Sequence, residues 1–599
     1  MPLRSLSSLL TRGRAPTANL TRHTLLVPAC VAPRFPWCHP LLLHLARAAT
    51  TTTIPSVSHP PQDAVVPQEP RRSHKIDFGN TKVAYASVST GELVRAYLVF
   101  KACSFRPLVT HADKLLQISY RLLGQAITES IVRNTFFAHF CAGETSQTIR
   151  PRIEELRKGG VAGILDYAAE ADITQMMTSP LTKPKTHAYK EGEIACRVYS
   201  YESERQCDAH VETFLDCIHA VKDVTPEGFA AIKITALGNP HLLERMSVCI
   251  EETDRLFKKM DREGKGWITR KEFLDGYDRF FRSTPAPPSE TSPVPTGIWA
   301  VKPEEMATQL LNRLDPDNTD RIDVIDWRMA VNISDMPALT HQCRETGPLK
   351  NAALSEQEME LMRAMQLRLE MLAGRAATLG VRLMIDAEQS YFQPAIDFLI
   401  LDVMQRHNRD AFVVYTTMQC YLRDATERLE MEIERARRGG FLFAAKLVRG
   451  AYMVSERKRA AEKGYESPIH DTIEATHATY DGCVSTFLER MAAGEKLEVL
   501  VATHNQASIE KTLSGMDRLG LRGETSGVYF GQLLGMADHL TLSLGSAGYK
   551  AYKYVPYGLV GQVLPYLIRR AQENSDVMGG VKHEQGLIRA ELWRRMLSA

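Results

Sequence analysis

Eight short apolar segments recur between residues 161 and 558, and this repetition constrains the fold more than any other feature of the chain. Each is bounded by Gly, Pro or polar residues; they are 161–167, 229–237, 382–388, 411–419, 443–452, 498–505, 528–535 and 551–558. Amphipathic stretches such as 355–379 and 467–493 fill several intervals. Buried strands that alternate with helices predict an α/β protein, and eight of them predict a (β/α)8 TIM-like barrel. An open, doubly wound sheet is the alternative, because periodicity alone does not close a barrel.

Polar side chains recur within these segments or at their carboxyl ends. Seven of them are spread over six segments: Lys233, Asp386, Gln419, Lys446, Tyr452, His504 and Tyr554. In a (β/α)8 barrel the carboxyl ends of the strands meet at one mouth, where the active site lies. Any one of these residues alone is typical of a solvated surface. Seven together predict a functional site at the mouth.

The first 62 residues differ from the rest of the chain in composition. They contain no Asp or Glu, are rich in Ser and Thr, and carry six arginines: Arg4, Arg12, Arg14, Arg22, Arg34 and Arg47. This composition is typical of a mitochondrial transit peptide, whereas a secretory signal needs a longer apolar core. A disordered basic tail is the alternative interpretation. We expect a transit peptide over 1–62, a linker over 63–89 and an N-terminal helical region over 90–158.

Length and composition exclude several classes of protein. A chain of 599 residues is expected to hold roughly three to four units. Its formal net charge of +2 gives no reason to expect nucleic acid as a partner. No apolar run is long enough to cross a bilayer, so any membrane contact is expected to be peripheral. The 11 cysteines are scattered and include no C-x-x-C pair, which favours free thiols in a reducing compartment.

The interval between the second and third segments is far longer than one crossover helix needs. We assign 159–238 to the first part of the barrel, 239–350 to an insertion and 351–599 to the second part of the barrel with the substrate site. The insertion contains two twelve-residue stretches that are similar to EF-hand loops, 261-DREGKGWITRKE-272 and 315-DPDNTDRIDVID-326. Their spacing predicts an EF-hand-like pair of helix–loop–helix units.

The two loops differ in how well they suit calcium. The first has Lys265, a cation, at the fifth position, where an oxygen ligand belongs, so we do not expect it to bind. The second has Asp320 in place of the turn glycine and an Asp in place of the final Glu. It still offers five oxygen-bearing side chains, and we expect at most a weak Ca²⁺ site at Asp315, Asp317, Thr319, Asp323 and Asp326.

Four motifs in order carry a resemblance to a known family. The segments 383-LMIDAEQS-390, 446-KLVRGAY-452, 502-ATHN-505 and 566-YLIRRAQEN-574 resemble the proline dehydrogenase family, and the likeness covers roughly 160 to 580. The resemblance implies a barrel that holds FAD and oxidises L-proline to Δ1-pyrroline-5-carboxylate by hydride transfer to flavin N5. Eukaryotic members lie on the matrix side of the inner mitochondrial membrane and pass electrons to ubiquinone. The insertion is similar to that of animal-type members.

The resemblance also implies which residues hold the flavin. Carried over motif by motif, the FAD-binding residues are Ala387, Gln419, Arg449, Gly450, Ala451, Thr503 and His504. Lys446 stands where bacterial members carry an arginine near flavin N5, and the resemblance implies a catalytic role for it together with Asp386. The chain has neither a G-x-G-x-x-G nor a Walker motif, which is consistent with a flavin held at a barrel mouth.

The substrate residues implied by the resemblance suit an amino acid with a carboxylate. Arg569 and Arg570 offer fork-shaped donors for that carboxylate, and Glu573 lies one helical turn on, where it can hold a guanidinium. Lys233 completes a cationic cradle that Asp386 opposes. Three further side chains are expected around the substrate ring, namely Tyr452 and Tyr554 as covers and Leu533 as an apolar wall.

Two other functions remain open at this stage. The first is the hydroxyproline-oxidising branch of the same family, although the bulk of Tyr554 leaves little room for an added hydroxyl group. The second is a calcium-responsive scaffold with an inactive barrel, which the EF-hand-like loops motivate. The presence of Asp386, Arg569 and Arg570 opposes the scaffold interpretation. Flavin absorbance of the purified protein distinguishes the enzyme from the scaffold.

Overall fold

The fold is known from a computed structural model that describes residues 76–168, 201–281, 303–523, 525–576 and 578–598. The predicted transit peptide, 1–62, lies outside the described residues. So does the part of the predicted linker that precedes residue 76.

Eight parallel strands form a closed barrel. They are β1 (Val161–Tyr167), β2 (Phe229–Ile232), β5 (Arg382–Ile385), β6 (Val414–Gln419), β7 (Phe443–Val448), β8 (Leu497–Ala502), β9 (Val528–Leu533) and β10 (Ala551–Tyr557), with β3 and β4 in the insertion. Each strand pairs with its neighbours in the order β1-β10-β9-β8-β7-β6-β5-β2, and β2 pairs with β1 to close the ring. All eight predicted strands are present, and the barrel prediction is confirmed over the open sheet.

Helices connect the strands around the outside of the barrel. They are Glu204–Val224, Glu356–Leu379, Gln393–His407, Ala425–Gly439, Met453–Lys463, Ile473–Ala492, Gln506–Leu519 and Asp538–Ser546. Two further helices, Val560–Asp576 and Met578–Ser598, follow the last strand. Local sequence sets their ends. In the helix Glu356–Leu379, Ser355 and Glu358 form a capping box, and Gly380 ends the helix with a left-handed φ of 65°.

The barrel interior is filled by alternate residues of the strands. The packed interior includes Ala162, Ile164, Phe229, Ala231, Met384, Tyr415, Ala444, Leu500, Tyr529 and Tyr552. Below them, Glu498 accepts hydrogen bonds from the hydroxyl groups of Tyr415 and, at 2.8 Å, Tyr529. This apolar and aromatic packing fills the barrel interior, and the active site of such a barrel lies at the opposite mouth, where the strands end.

The N-terminal region is helical, as predicted. Its helices are Thr81–Ala84, Thr90–Cys103, Arg106–Thr110, Ala112–Val132, the π-helix Arg133–Phe137, Ala138–Phe140 and Arg150–Lys158. Phe78, Ala84 and Tyr85 are buried in the main core. The folded region therefore begins before residue 90, within the predicted linker 63–89. The four-residue helix Thr81–Ala84 is too short to show helical periodicity in the sequence.

The insertion folds as two paired helix–loop–helix units, as predicted. Its helices are Pro240–Met260, Arg270–Phe280, Pro303–Leu314 and Val324–Ala330, followed by a 3-10 turn at Ile333–Asp335 and the short helices Met336–His341 and Pro348–Ala352. The two loops are joined by an antiparallel pair, β3 (Trp267–Ile268) with β4 (Ile322–Asp323). Asp320, which replaces the turn glycine, adopts a left-handed φ of 56°.

The carboxylates of the second loop are engaged by arginines. Asp315 pairs with Arg270 at 3.1 Å, while Asp323 and Asp326 both pair with Arg438 of a barrel helix, at 2.7 and 2.8 Å. Among the described residues, no group of three or more potential metal ligands gathers around one point. The predicted calcium site at Asp315, Asp317, Thr319, Asp323 and Asp326 is therefore not supported, because arginines hold the charges that a cation would take.

Two smaller expectations can be compared with the described residues. Within them, no helix is both long and apolar enough to cross a membrane. The eight cysteines that the structure describes are all free thiols, and seven of these are buried. This agrees with the prediction of unpaired cysteines.

Candidate active site

Polar residues follow the apolar interior residues of the barrel at its mouth. Successive inward residues of a strand are two apart. Because Ala231 of β2, Met384 of β5 and Ala444 of β7 face the interior, the next inward positions are Lys233, Asp386 and Lys446. The same step leads to three more of the predicted residues, Gln419, His504 and Tyr554. The sequence thus places six of the seven predicted polar residues on the inner side of the mouth.

Asp386 is the centre of this layer. Its Oδ1 accepts a hydrogen bond from Lys446 Nζ at 2.5 Å, while Lys233 Nζ donates to Oδ2. The hydroxyl group of Tyr554 also donates to Oδ2, at 3.0 Å. Lys446 Nζ lies 5.6 Å from the centre of the Tyr554 ring. Four strands that are distant in sequence therefore converge on one carboxylate.

The electrostatics of this cluster fix the charge of Asp386. Burial opposes ionisation, but the adjacent ammonium groups of Lys233 and Lys446 outweigh it and hold the pKa of the Asp386 carboxyl group below its usual range. Two ammonium groups and one carboxylate leave a net charge of one positive. A buried cationic cluster at a barrel mouth is suited to a substrate or cofactor that carries negative charge.

Glu388 is a buried member of the site that the sequence reasoning did not single out. Its Oε1 accepts from Thr235 Oγ1 at 2.8 Å, and its Oε2 accepts from the Tyr452 hydroxyl group at 3.2 Å. Burial raises the pKa of Glu388 to about 7, against the opposing effect of Lys233. The available signal was its spacing: Glu388 lies two residues after Asp386, within a quoted motif and on the same side of an extended chain.

The backbone around Glu388 is also held by predicted site residues. Gln419 Nε2 donates to the carbonyl oxygen of Glu388 at 2.7 Å, and the Tyr452 hydroxyl group lies 3.3 Å from the carbonyl oxygen of Ala387. These contacts join the ends of β5 and β6 to the loop after β7. Tyr452 is buried and its hydroxyl group is directed at Glu388, so its ring position is set by this carboxyl group.

Arg449 supplies a second cationic point at the mouth. Its guanidinium donates to Thr503 Oγ1 at 2.7 Å, to Ser508 Oγ at 2.9 Å and to His477 Nδ1 at 2.8 Å. All three acceptors are neutral oxygen or nitrogen atoms, and the guanidinium is only partly exposed. Partial burial lowers the pKa of Arg449. A half-buried guanidinium held by neutral groups fits a phosphate-bearing cofactor such as FAD.

His504 follows β8 and is exposed at the mouth. The backbone N–H of Leu533 donates to its Nε2 at 3.1 Å, so the ring is neutral with its proton on Nδ1. The surrounding protein and the cations Lys553 and Arg570 lower the pKa of His504 to about 3, although part of the ring is open to solvent. An exposed, neutral imidazole at the mouth is available to a bound cofactor.

Gly450 has a structural requirement that differs from the expected one. Its φ is 136°, and a Cβ at this position would lie 2.5 Å from the ring of Tyr421. The resemblance assigns Gly450 and Ala451 to the flavin, and both are exposed at the mouth. The need for glycine is nevertheless explained within the chain, because packing of Tyr421 leaves no room for a side chain.

The helix after β10 carries the predicted carboxylate clamp. It spans Val560–Asp576; Arg569 is buried on it, and Arg570 forms an ion pair with Glu573. Arg570 also lies 5.1 Å from the centre of the Tyr566 ring. Its charge is one of the causes that lower the pKa of His504, after burial and Lys553. The structure thus brings the predicted strand-end residues to one mouth of the barrel and leaves the arginine pair on the helix that follows β10, while the individual roles stay predictions.

A buried lysine next to Tyr554 was also missed by the sequence reasoning. Lys553 Nζ donates to the carbonyl oxygens of Leu533, at 3.1 Å, and Met536, at 2.6 Å, and forms a 2.6 Å ion pair with Asp538. It fixes the end of β9 at Leu533 and the loop that follows, which carries Met536. No pattern in the sequence signals this role, since a lysine in a strand is usually exposed.

Comparison with known proteins assigns the family. The family model for proline dehydrogenase matches residues 149–583. Proline dehydrogenase 1, mitochondrial, of Homo sapiens is 38% identical over 551 residues, covering 87% of this chain and 90% of that protein. The Bos taurus protein of the same name is 37% identical, covering 94% and 98%. Hydroxyproline dehydrogenase of Xenopus laevis is 30% identical, covering 85% and 88%. On this evidence the chain belongs to the proline dehydrogenase family.

Proposed function

We propose that this enzyme oxidises L-proline to Δ1-pyrroline-5-carboxylate with FAD as its cofactor and ubiquinone as its electron acceptor. The observation that carries the proposal is the Asp386 carboxylate, held between Lys233 and Lys446 with the Tyr554 hydroxyl group beside it. The family match over most of the chain supports the same substrate class. When bound, FAD supplies the acceptor for the hydride that leaves the δ-carbon of proline.

The proposed roles follow from charge and position. Arg569 and Arg570 bind the substrate carboxylate through charge-assisted hydrogen bonds. The ring nitrogen must be deprotonated before hydride leaves the adjacent carbon. A cluster with a net positive charge disfavours a protonated amine, so Lys233 and Lys446 favour the reactive neutral form. Asp386 positions both lysines and Tyr554, whose ring covers the substrate.

The proposed cofactor residues form two groups at the mouth. Arg449 and Thr503, which are hydrogen-bonded to each other, would hold the phosphate portion of FAD. His504 and Gln419, with Ala387 and the exposed backbone of Gly450 and Ala451, would line the remainder of the cofactor site. Lys446 would lie near flavin N5.

Location is proposed from sequence and relatives together. The relatives named above as mitochondrial support a mitochondrial location. The acid-free, Arg-rich segment 1–62 supports import to the matrix. We further propose that the enzyme contacts the inner membrane peripherally, since ubiquinone is a lipid-soluble acceptor.

The proposed reaction is tested with the purified full-length protein. Flavin absorbance should be present and should bleach anaerobically on addition of L-proline but not D-proline. A short-chain ubiquinone analogue should restore the colour, and o-aminobenzaldehyde should trap the product. A colourless protein that folds normally would refute the cofactor. A flavoprotein that trans-4-hydroxy-L-proline reduces faster than L-proline would refute the substrate.

A further inference from the structure

A bent helical segment of the N-terminal region exposes an unusual number of large apolar side chains. The helix Ala112–Val132 is interrupted at Gly124, whose φ of 77° and ψ of 170° are not helical. Six apolar residues on the two arms are exposed, and we call this set the apolar bend: Leu115, Ile118, Leu122, Leu123, Ile127 and Ile131. Leu122, next to the interruption, is 78% exposed. Exposed apolar groups concentrated in this way mark an interaction surface.

The apolar bend is not needed for packing of the segment. The opposite side of the same helix contributes Leu116, Tyr120 and Val132 to a core cluster shared with the helix Val560–Asp576. The segment therefore has two apolar faces, one of which is already buried. The second face remains available for a partner.

The charges around the apolar bend indicate what that partner is. Lys114 and Arg121 on its first arm are balanced in number by Asp113 and Glu129 of the same helix, and the positive excess comes from Lys101 and Arg106, exposed on the helices just before it. In the part of the chain that the structure describes, none of these four cations has a carboxylate partner. A second copy of the chain would bring like charges together, whereas anionic phospholipid headgroups complement them. An apolar tip with basic shoulders is typical of a segment that inserts at a membrane interface.

We propose that the apolar bend inserts into the boundary between the headgroups and acyl chains of an anionic phospholipid bilayer. This inference deepens the proposed membrane contact by naming its surface. The docked segment packs directly on the helix that carries Arg569 and Arg570. Insertion would therefore hold the active-site end of the chain close to the lipid phase that contains a long-chain quinone.

The test is sedimentation of the full-length protein with vesicles of phosphatidylcholine alone or with added phosphatidylglycerol. Wild type should bind the anionic vesicles. The double variant Leu122→Asp/Leu123→Asp should reduce the bound fraction by about tenfold or more. The matched control is Leu367→Asp, at a 55% exposed leucine of the helix Glu356–Leu379, which should bind as wild type. All three proteins should keep the same activity with a soluble dye acceptor.

A charge variant tests the same surface without adding polar groups to its tip. Lys114→Glu/Arg121→Glu should remove the preference for phosphatidylglycerol. Vesicle binding by Leu122→Asp/Leu123→Asp equal to wild type would overturn the proposal. The proposal would also be overturned if this variant had a lower molar mass than wild type by light scattering and bound vesicles equally well. The bend would then be an interface between copies of the chain. Vesicle binding needs no turnover, so the result is independent of whether proline is the substrate.

Discussion

Replacement of Asp386 by Asn is the sharpest test of the site, because one substitution removes the shared counter-ion of two buried lysines. Asn keeps the size of the side chain but not its charge. Lys233 and Lys446 would then face each other without a carboxylate between them. Breaking a buried ion pair by removal of one partner typically costs about 3 to 5 kcal/mol of the free energy of unfolding.

The pH dependence of this loss has a definite sign. The folded-state pKa of Asp386 is below its unfolded value. Its contribution to stability is therefore fully present above the unfolded pKa of about 3.9 and is lost as pH falls through the folded pKa. Between pH 6 and 8 the carboxylate of the wild type stays ionised. We expect titration of Asp386 to add no pH dependence to the difference between wild type and Asp386→Asn in that range.

A matched control variant, Asp397→Asn, distinguishes a loss of activity from a loss of stability. Asp397→Asn also removes a carboxylate from an ion pair, with Arg428 at 2.6 Å, but on the outer helices. It should lower the denaturation midpoint and leave kcat/KM within about twofold, since it lies outside the site. Asp386→Asn should lower the midpoint and also reduce kcat by about 100-fold, the usual cost of removing an electrostatic group from an active site.

A double variant tests whether the shared counter-ion is the cause. Lys446→Met removes one of the two lysines, so adding it to Asp386→Asn should restore part of the lost stability. The reasoning would be refuted if the stability losses of Asp386→Asn and Lys446→Met were additive in the double variant. It would also be refuted if Asp386→Asn had an unchanged kcat and denaturation midpoint. The assays are denaturant titration and steady-state kinetics with a soluble acceptor.

Four further outcomes are expected. Arg569→Met and Arg570→Met should each raise KM for proline strongly and retain FAD, because each removes charge-assisted hydrogen bonds of roughly 1.5 to 3 kcal/mol. An unchanged KM in both variants would refute the assignment of these arginines to the substrate carboxylate. Burial raises the pKa of Glu388 to about 7, so the free energy of unfolding of the wild type falls as pH rises from the unfolded pKa of about 4.5 to 7. The stability of Glu388→Gln relative to the wild type should therefore rise by up to about 3 kcal/mol between pH 5 and 8. A difference in denaturation midpoint that stays constant with pH would contradict this. Tyr554→Ser should narrow the preference of kcat/KM for L-proline over trans-4-hydroxy-L-proline, whereas Tyr554→Phe, which keeps the ring, should not; equal ratios in the wild type and both variants would show that the ring does not set specificity. Millimolar Ca²⁺ should leave the melting temperature unchanged, since Arg270 and Arg438 occupy three of the carboxylates of the second loop; a rise on calcium addition, absent with Mg²⁺, would contradict that interpretation of the loop.

The barrel and its mouth could be predicted because each depends on local sequence. Strand length, flanking turn residues and apolar content are readable one segment at a time. The alternation of inward residues then places Lys233, Asp386 and Lys446 at the same end without knowledge of any contact. What could not be read was which of these residues touch, since Lys233 and Asp386 are 153 positions apart.

The role of Glu388 was missed, and the second EF-hand-like loop was expected to bind calcium weakly, for the same physical reason. The role of Glu388 depends on hydroxyl groups from Thr235 and Tyr452, which other strands bring to it. The loop fits a calcium pattern in isolation. Two of its carboxylates, Asp323 and Asp326, are bound by Arg438, more than one hundred residues away on a barrel helix. In both cases a distant side chain decides the charge state or ligand capacity of a local motif.

The division of the Asp386 carboxylate between two lysines also explains why a lysine suits position 446. Lys446 contacts Oδ1 alone, which leaves Oδ2 to Lys233 and to the Tyr554 hydroxyl group. A guanidinium at position 446 would present a planar fork that favours both oxygens of one carboxylate. It would therefore compete with Lys233 for Oδ2. The single ammonium group of Lys446 on Oδ1 and that of Lys233 on Oδ2 are thus complementary parts of one arrangement.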